Sequence, residues 1–568
     1  MSNSKQKVPP SGAPDEAATR AAEGMLGPNP FVGLRPQDIL AAMQQIAVQA
    51  CRQPMLALEQ GAALTRDLLE ALSGNSTLAI PKGDKRFTDP AWRDNPLYRT
   101  YLQSYLAWSK ALTGLVERSE LDAKCKERAA FVVSLFADAL APTNTLMGNP
   151  AALKKLVESG GASLLAGMQN MLADLEKNRG MPAQVDKQAF RPGENLAVSP
   201  GAVVFRNELL ELIQYEPTTP NVYARPHLIV PPQINKYYIF DLSPGRSIVE
   251  YLLKGGFQAF VVSWRNPTPA QRDWDMETYV AALREAIDAV CEISNAEDVN
   301  LHGACSGAMT LSALLGHLAA KHERLVNAAT LMVAVLESSD EPQLTLFATP
   351  EAVHAAKQYS AAKGVLEGQD MGRVFAWMRP NDLVWNYWVN NYLMGNPPPA
   401  FDILYWNNDT TRLAAKFHAQ LLDIFLGDLF NKPGAVTILG TPIDLSTVDC
   451  DKYVVAGITD HITPWKGVYN TARIFGGKTD FILSSSGHIQ SLINPPGNPK
   501  SKFYVNPQLP ADPEQWLSNA ETVSQSWWEH WRGWLAVRSG EQRPAPAALG
   551  SARNPPLAKA PGTYVIEP

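Results

Sequence analysis

Cysteine is scarce in this chain. Five occur among 568 residues, Cys51, Cys125, Cys291, Cys305 and Cys450. They are odd in number, far apart and never in Cys-x-x-Cys spacing. That excludes a disulfide framework and a cysteine-based zinc site, and predicts the reduced thiols of a cytoplasmic protein with no metal. Long apolar runs are missing too. The longest, such as 328–336, reach about half of the ~20 residues that a membrane helix needs, and the first twenty residues hold no apolar signal-peptide core. A basic excess is also lacking: 50 Lys+Arg stand against 56 Asp+Glu, a formal net charge of −6. This argues against a nucleic-acid partner. No block of like charges marks an anchor or an acidic tail. What is present is a folded composition, 45% hydrophobic and only 19% charged. Twelve of the 14 tryptophans fall after residue 260, so the two halves are built differently.

The organisation follows from periodicity. Residues 1–30 are rich in Ala, Pro, Gly and charge without a repeat, and are expected to be disordered. Over 31–195 apolar residues recur at three- and four-residue steps, as in Ile39, Met43, Ile46 and Ala50, or Leu102, Leu106, Leu112 and Val116. No strand alternation interrupts them, which predicts an all-α N-terminal domain. From 196 to 540 short β-rich runs (227–230, 237–242, 259–263, 299–301, 328–336) alternate with helical ones, the pattern of βαβ crossovers and a mostly parallel sheet. The alternation stops at about 337 and resumes at 453–457 and 481–484. The aromatic, helical stretch between, about 337–450, is read as an insertion in the place of a lid. Residues 541–568 are Pro/Ala-rich and expected to be extended.

His302-Gly303-Ala304-Cys305-Ser306-Gly307 follows a predicted strand and opens a predicted helix. This is the context of the nucleophile elbow Gly-x-Ser-x-Gly of the α/β-hydrolase fold, with Cys in place of Ser. Composition alone would produce Gly-x-Cys-x-Gly here only about 0.02 times. The elbow strains the nucleophile's backbone, and glycines two residues either side let strand and helix approach. The helix N-terminus favours a thiolate and supplies N–H groups to an oxyanion.

In that fold the acid and the base follow the nucleophile in order, each after a later strand. Asp460 follows the run 453–457, and His488 follows 481–484, so both belong at the strand edge that carries Cys305. His461, beside the acid, competes with His488 as base. His302, at the strand end, is read as structural, and the remaining histidines lack this placement. Cys305 would exchange acyl groups with a thioester almost isoenergetically. His488 would take its proton, and Asp460 would orient the resulting imidazolium. The acceptor then decides the enzyme. Water gives a thioesterase or ester hydrolase, and an alcohol gives an ester.

The stretches GACSG, AGITDHITPW (456–465), SGHIQSLINPPGNPK (486–500) and VFAWMRPNDLVWNYWVNNYLMGNPPPAFDILYWNNDTTR (374–412) closely resemble class II polyhydroxyalkanoate synthases. The likeness runs from the helical half through WWEHWRGW (527–534) to the terminal PGTYV. It implies a polymerase that joins (R)-3-hydroxyacyl-CoA units, mainly of medium chain length, into polyester. Coenzyme A is then part of the substrate, and no cofactor is needed. By resemblance Cys305 is the acyl-accepting nucleophile, His488 the base and Asp460 the third member, discussed in the family as also activating the incoming 3-hydroxyl. Trp406 matches a known aromatic position. The oxyanion donors expected by analogy with the fold are the Ser306 N–H and one from a Val262-Ser263-Trp264 loop, and His461 is a further candidate for substrate binding. Ala334 and Gln490 are candidates for the specificity pocket. Ala308, His302 and Ala334 depart from a usual Gly, Leu and Ser. The resemblance also implies a homodimer on the surface of polyester granules, with granule-associated proteins as partners, in the cytoplasm.

Overall fold

The computed structural model describes residues 36–338 and 346–568. The disorder expected over 1–30 lies outside the described residues. Packing divides the chain into two compact units. One comprises residues up to Gln184 with Arg373–Pro399, the other Val185–Gly372 with Ala400–Pro568.

The first unit is helical: α1 Pro36–Arg52, α2 Pro54–Leu72, α3 Pro96–Glu117, α4 Ala123–Ala139, α5 Pro150–Glu158 and α6 Ala162–Lys177. Their starts are written locally. Asn95 caps α3 by accepting from the N–H groups of Leu97 and Tyr98, and Asn149 caps α5 by accepting from Ala152, each followed by Pro at the first helical position. Phe87, Trp92, Leu102, Tyr105 and Leu106 form one small core. The segment Arg373–Pro399, which the sequence placed within the inserted lid, packs in this unit. Asn381 accepts from Arg86 Nη1 at 2.9 Å, and Tyr392 donates to Asp174 at 2.8 Å. A side chain at Gly167 would meet the Tyr392 carbonyl, so only glycine permits that approach.

The second unit is built on an eleven-stranded sheet. Its strands are β1 Gly201–Arg206, β2 Leu210–Tyr215, β3 His227–Val230, β4 Ala259–Trp264, β5 Val299–Ala304, β6 Val326–Met332, β7 Asp451–Gly457, β8 Thr479–Ser484, β9 Phe503–Val505, β10 Glu521–Val523 and β11 Ala558–Lys559. The spatial order is β10-β9-β8-β7-β6-β5-β3-β4-β2-β1-β11. β4, β3, β5, β6, β7 and β8 run parallel, flanked on both sides by antiparallel strands. Every residue of β3, β4 and β5 is buried, as expected of parallel strands covered on both faces. The crossover helices include α7 Ile248–Lys254, α8 Met276–Ser294 and α9 Ser306–Ala320. Thus an all-helical N-terminal region precedes a mixed α/β domain with helical insertions. One expected strand is absent. Residues 237–242 contain a 3₁₀ turn, Tyr237–Phe240, whose four side chains are all buried. A short, uniformly apolar run carries no period that separates a buried strand from a buried turn.

Candidate active site

Cys305 lies between β5 and α9, with φ +49° and ψ −125°. Such a conformation costs a non-glycine residue about 1–3 kcal/mol and persists only where its surroundings over-determine it. Here they do. The Cys305 N–H donates to the Met332 carbonyl at the end of β6, at 2.9 Å. A Cβ at Gly303 would stand 2.8 Å from Ala308 Cα, and one at Gly307 would stand 2.4 Å from the Pro231 carbonyl oxygen. Both glycines are therefore obligatory. Ala308, the departure from a usual Gly, is fully buried beside Gly303.

Asp460 follows β7 by three residues and His488 follows β8 by four, and the two strands are paired in parallel with Gly457 opposite Ser484. This register brings the side chains together: His488 Nδ1 lies 2.7 Å from Asp460 Oδ2. Thr463 joins them. Its hydroxyl donates to Asp460 Oδ2 at 2.7 Å and lies 3.1 Å from His488 Nδ1. Asp460 Oδ1 accepts from the N–H groups of Ile462 and Thr463. Burial alone would raise the Asp460 pKa, but the charge and hydrogen bonds of His488, with those of Thr463, hold it below the usual carboxylate range. Burial would lower that of His488. The neighbouring Asp460 carboxylate outweighs this, with a smaller contribution from the Cys305 sulfur, and the imidazole is pushed up to about 10. A base whose protonated form is held this firmly can accept a thiol proton and retain it as an imidazolium.

The other expected residues are placed as follows. Ser306 is the first residue of α9, so its N–H has no acceptor within the helix. Val262 and Ser263 are not in a loop. They lie inside β4, opposite Leu212 and Glu211 of β2, where the sheet ladder uses the backbone. The segment that leans on the elbow instead follows β3. Pro231 contacts Gly307, and the Gln233 N–H donates to Ser306 Oγ at 3.1 Å. Pro231-Pro232 directly after a strand was the sequence signal for it, since proline cannot continue a ladder. Trp406 is buried in the core cluster against which Cys305 packs, and its indole N–H donates to the Lys236 carbonyl at 2.7 Å. His461 is half-buried, and the carboxylate bond of Asp460 goes to its rival His488. Ala334 is buried just past β6, whereas Gln490 is exposed. His302 turns into the core. Its Nδ1 is 3.4 Å from His227 Nε2 and its Nε2 is 2.6 Å from Met332 Sδ, with Trp531 packed against both rings. Burial pushes both imidazoles down, His227 to about 3. Among the described residues no cluster of His, Cys, Asp and Glu could hold a metal, and no helix is long and apolar enough to cross a membrane.

Two family profiles match, the N-terminus of poly-beta-hydroxybutyrate polymerase (PhaC) over residues 83–252 and the alpha/beta hydrolase fold over residues 226–495. Poly(3-hydroxyalkanoate) polymerase 1 of Ectopseudomonas oleovorans is 52% identical, across 97% of this chain and 99% of that protein. Polymerase 2 of the same organism is 50% identical over 96% and 98%. The poly(3-hydroxyalkanoate) polymerase subunit PhaC of Cupriavidus necator is 41% identical over 87% and 84%. An α/β-hydrolase sheet with a cysteine elbow, a helical N-terminal region and relatives matched end to end leave one assignment: the chain belongs to the poly(3-hydroxyalkanoate) polymerases, an enzyme family, and is homologous to its class II members.

Proposed function

We propose that this enzyme joins (R)-3-hydroxyacyl units, mainly of medium chain length, from their coenzyme A thioesters into a polyester, through a covalent acyl-Cys305 intermediate. The observation that carries the reading is the bonded Asp460–His488 pair beside a strained cysteine. His488 takes the Cys305 proton, and the thiolate attacks the thioester carbonyl. The oxyanion is held by the Ser306 N–H and a second N–H from the loop after β3, the site where this fold supplies one. The C–S bond to coenzyme A breaks, and its thiolate leaves with the proton from His488. The 3-hydroxyl of another acyl unit then gives its proton to His488 and attacks the acyl-Cys305 carbonyl. An ester bond forms and the cysteine is released. Asp460 acts as the positioning group. Its side chain is fully buried and both its oxygens are already engaged, which favours orientation of His488 over direct contact with the incoming hydroxyl. Ile403, Tyr405, Ile489 and Ile493 pack on the same core as Cys305 and give the site apolar surroundings suited to an acyl chain and poor for competing water.

The reading extends to a cytoplasmic homodimer working at the surface of polyester granules, with the helical unit as the granule contact. Turnover of a chain-length series of (R)-3-hydroxyacyl-CoA, with coenzyme A release and extractable polyester both measured, tests it. The wild type yields both. Cys305→Ala yields neither while keeping its thermal midpoint, and intact mass finds the acyl adduct on the wild type only. Coenzyme A release without polyester would make the enzyme a thioesterase. Unchanged turnover in Cys305→Ala would remove the nucleophile assignment.

A further inference from the structure

His488 stands at the head of a helix of only five residues, His488–Leu492, whose N-cap, Gly487, offers no side chain. A helix this short does not sustain itself. Of its last carbonyls only that of Ile489 is met by the backbone, from the Ile493 N–H at 3.0 Å, and the carbonyls after it need partners from elsewhere. The exposed Gln490 carbonyl accepts from Asn494 Nδ2 at 3.4 Å, whereas the carbonyls of the buried Ser491, Leu492 and Asn494 are all met from one place. The Trp527 indole N–H donates to the Ser491 carbonyl at 2.8 Å, the Trp528 indole N–H donates to the Leu492 carbonyl at 3.3 Å, and the Ser526 hydroxyl donates to the Asn494 carbonyl. Ser526, Trp527 and Trp528 are themselves buried at 1–2% exposure. They form the N-terminus of the helix Trp527–Ala536, where Ser526 Oγ also caps by accepting from the Trp528 N–H at 3.1 Å.

We infer that Ser526, Trp527 and Trp528 are positioning residues for the catalytic base: three consecutive donors that fix the short helix carrying His488, and so the ring's distance to Asp460 and Cys305. This rests on the proposed role of His488. Three donors on three carbonyls over four residues leave that segment no freedom to shift as a body, and a misplacement near 1 Å in such a group costs up to about a hundredfold in rate. The aromatic run WWEHWRGW thereby gains a task beyond filling the core.

The neighbouring Trp531 supplies the control. It is equally buried, lies on the same helix and donates its indole N–H at 2.9 Å, but to Thr330 on β6. Trp527→Phe, Trp528→Phe and Trp531→Phe each delete one buried N–H and keep an aromatic ring. We expect Trp527→Phe to lower kcat roughly tenfold with KM within about twofold, Trp528→Phe to do so less strongly through its longer bond, and Trp531→Phe to lose comparable thermal stability while keeping kcat. Equal kcat in the Trp527→Phe and Trp531→Phe enzymes, with His488→Gln inactive, overturns the positioning role alone. Full turnover by His488→Gln overturns it together with the catalytic assignment.

Discussion

In the sheet unit every residue of β3, β4 and β5 is buried, whereas along the helices of the other unit Met55, Leu58, Leu72, Leu165 and Leu172 stand exposed. On α6 the pattern is regular. Leu165, Met168, Leu172 and Leu175 recur at steps of three and four, all outward-facing, so the helix presents an apolar stripe to solvent. The parallel strands bury their apolar residues inside the sheet, which holds the geometry of the candidate site, whereas α6 keeps a regular apolar row on its outside. Scattered single apolar side chains need no explanation, but a regular stripe is the feature on which the proposed granule contact rests.

The sharpest break in that comparison comes at the catalytic edge. His488→Gln should abolish turnover, a loss of about 10³-fold or more, while His461→Gln should cost only severalfold; steady-state coenzyme A release measures both, and equal losses would leave the base undecided. Next is the elbow. Gly307→Ala drives a Cβ against the Pro231 and Val230 carbonyls, so it should destabilise the fold by about 1–3 kcal/mol and remove turnover, read by thermal melting and assay together.

A smaller effect is expected from the neutral His227–His302 pair. Burial holds both imidazoles below their unfolded value near 6.5, His227 at about 3, so below pH 6.5 the unfolded chain binds more protons. Stability contributed by the pair is complete above pH 6.5 and is lost as pH falls, with a slope of up to about 1.4 kcal/mol per pH unit for each histidine. His302→Leu should flatten this acid limb in pH-dependent denaturant melts. An unchanged limb would assign it to carboxylates. The smallest stability change is expected in the helical unit. Leu165→Ser with Leu172→Ser should shift stability within about 0.5 kcal/mol per site, because neither is buried. Cosedimentation with polyester granules should nevertheless weaken while turnover of soluble substrate persists.

Local signals carried much of this into the sequence. Gly303 and Gly307 around Cys305 announced the strained turn, and the strand ends before Asp460 and His488 announced the edge they share. What was hidden depends on contacts between residues distant in the chain. The Trp527 bond to Ser491 spans 36 residues and leaves no trace in periodicity. Val262 and Ser263 were misplaced because the polar Ser263 reads as the end of a strand, whereas β4 continues, buried throughout, to Trp264. Thr463 carries no signal in the sequence, and only the fold brings its hydroxyl to both Asp460 and His488. The stretch 373–399 shares its aromatic texture with its neighbours, and only Arg86, Asp174 and Gly167 reveal which unit it joins.

The parallel pairing of β7 with β8 has one more implication. A strand slipping by a single residue would turn every side chain to the opposite face, so the spacing between Asp460 and His488 can take only discrete values, of which one is functional. In the proposed mechanism each addition returns to the Cys305 sulfur while the product grows. With its reacting groups indexed in this all-or-none way, the catalyst stays constant from the first monomer to the last, and adaptation to a longer product falls to the substrate and to the loops around the edge.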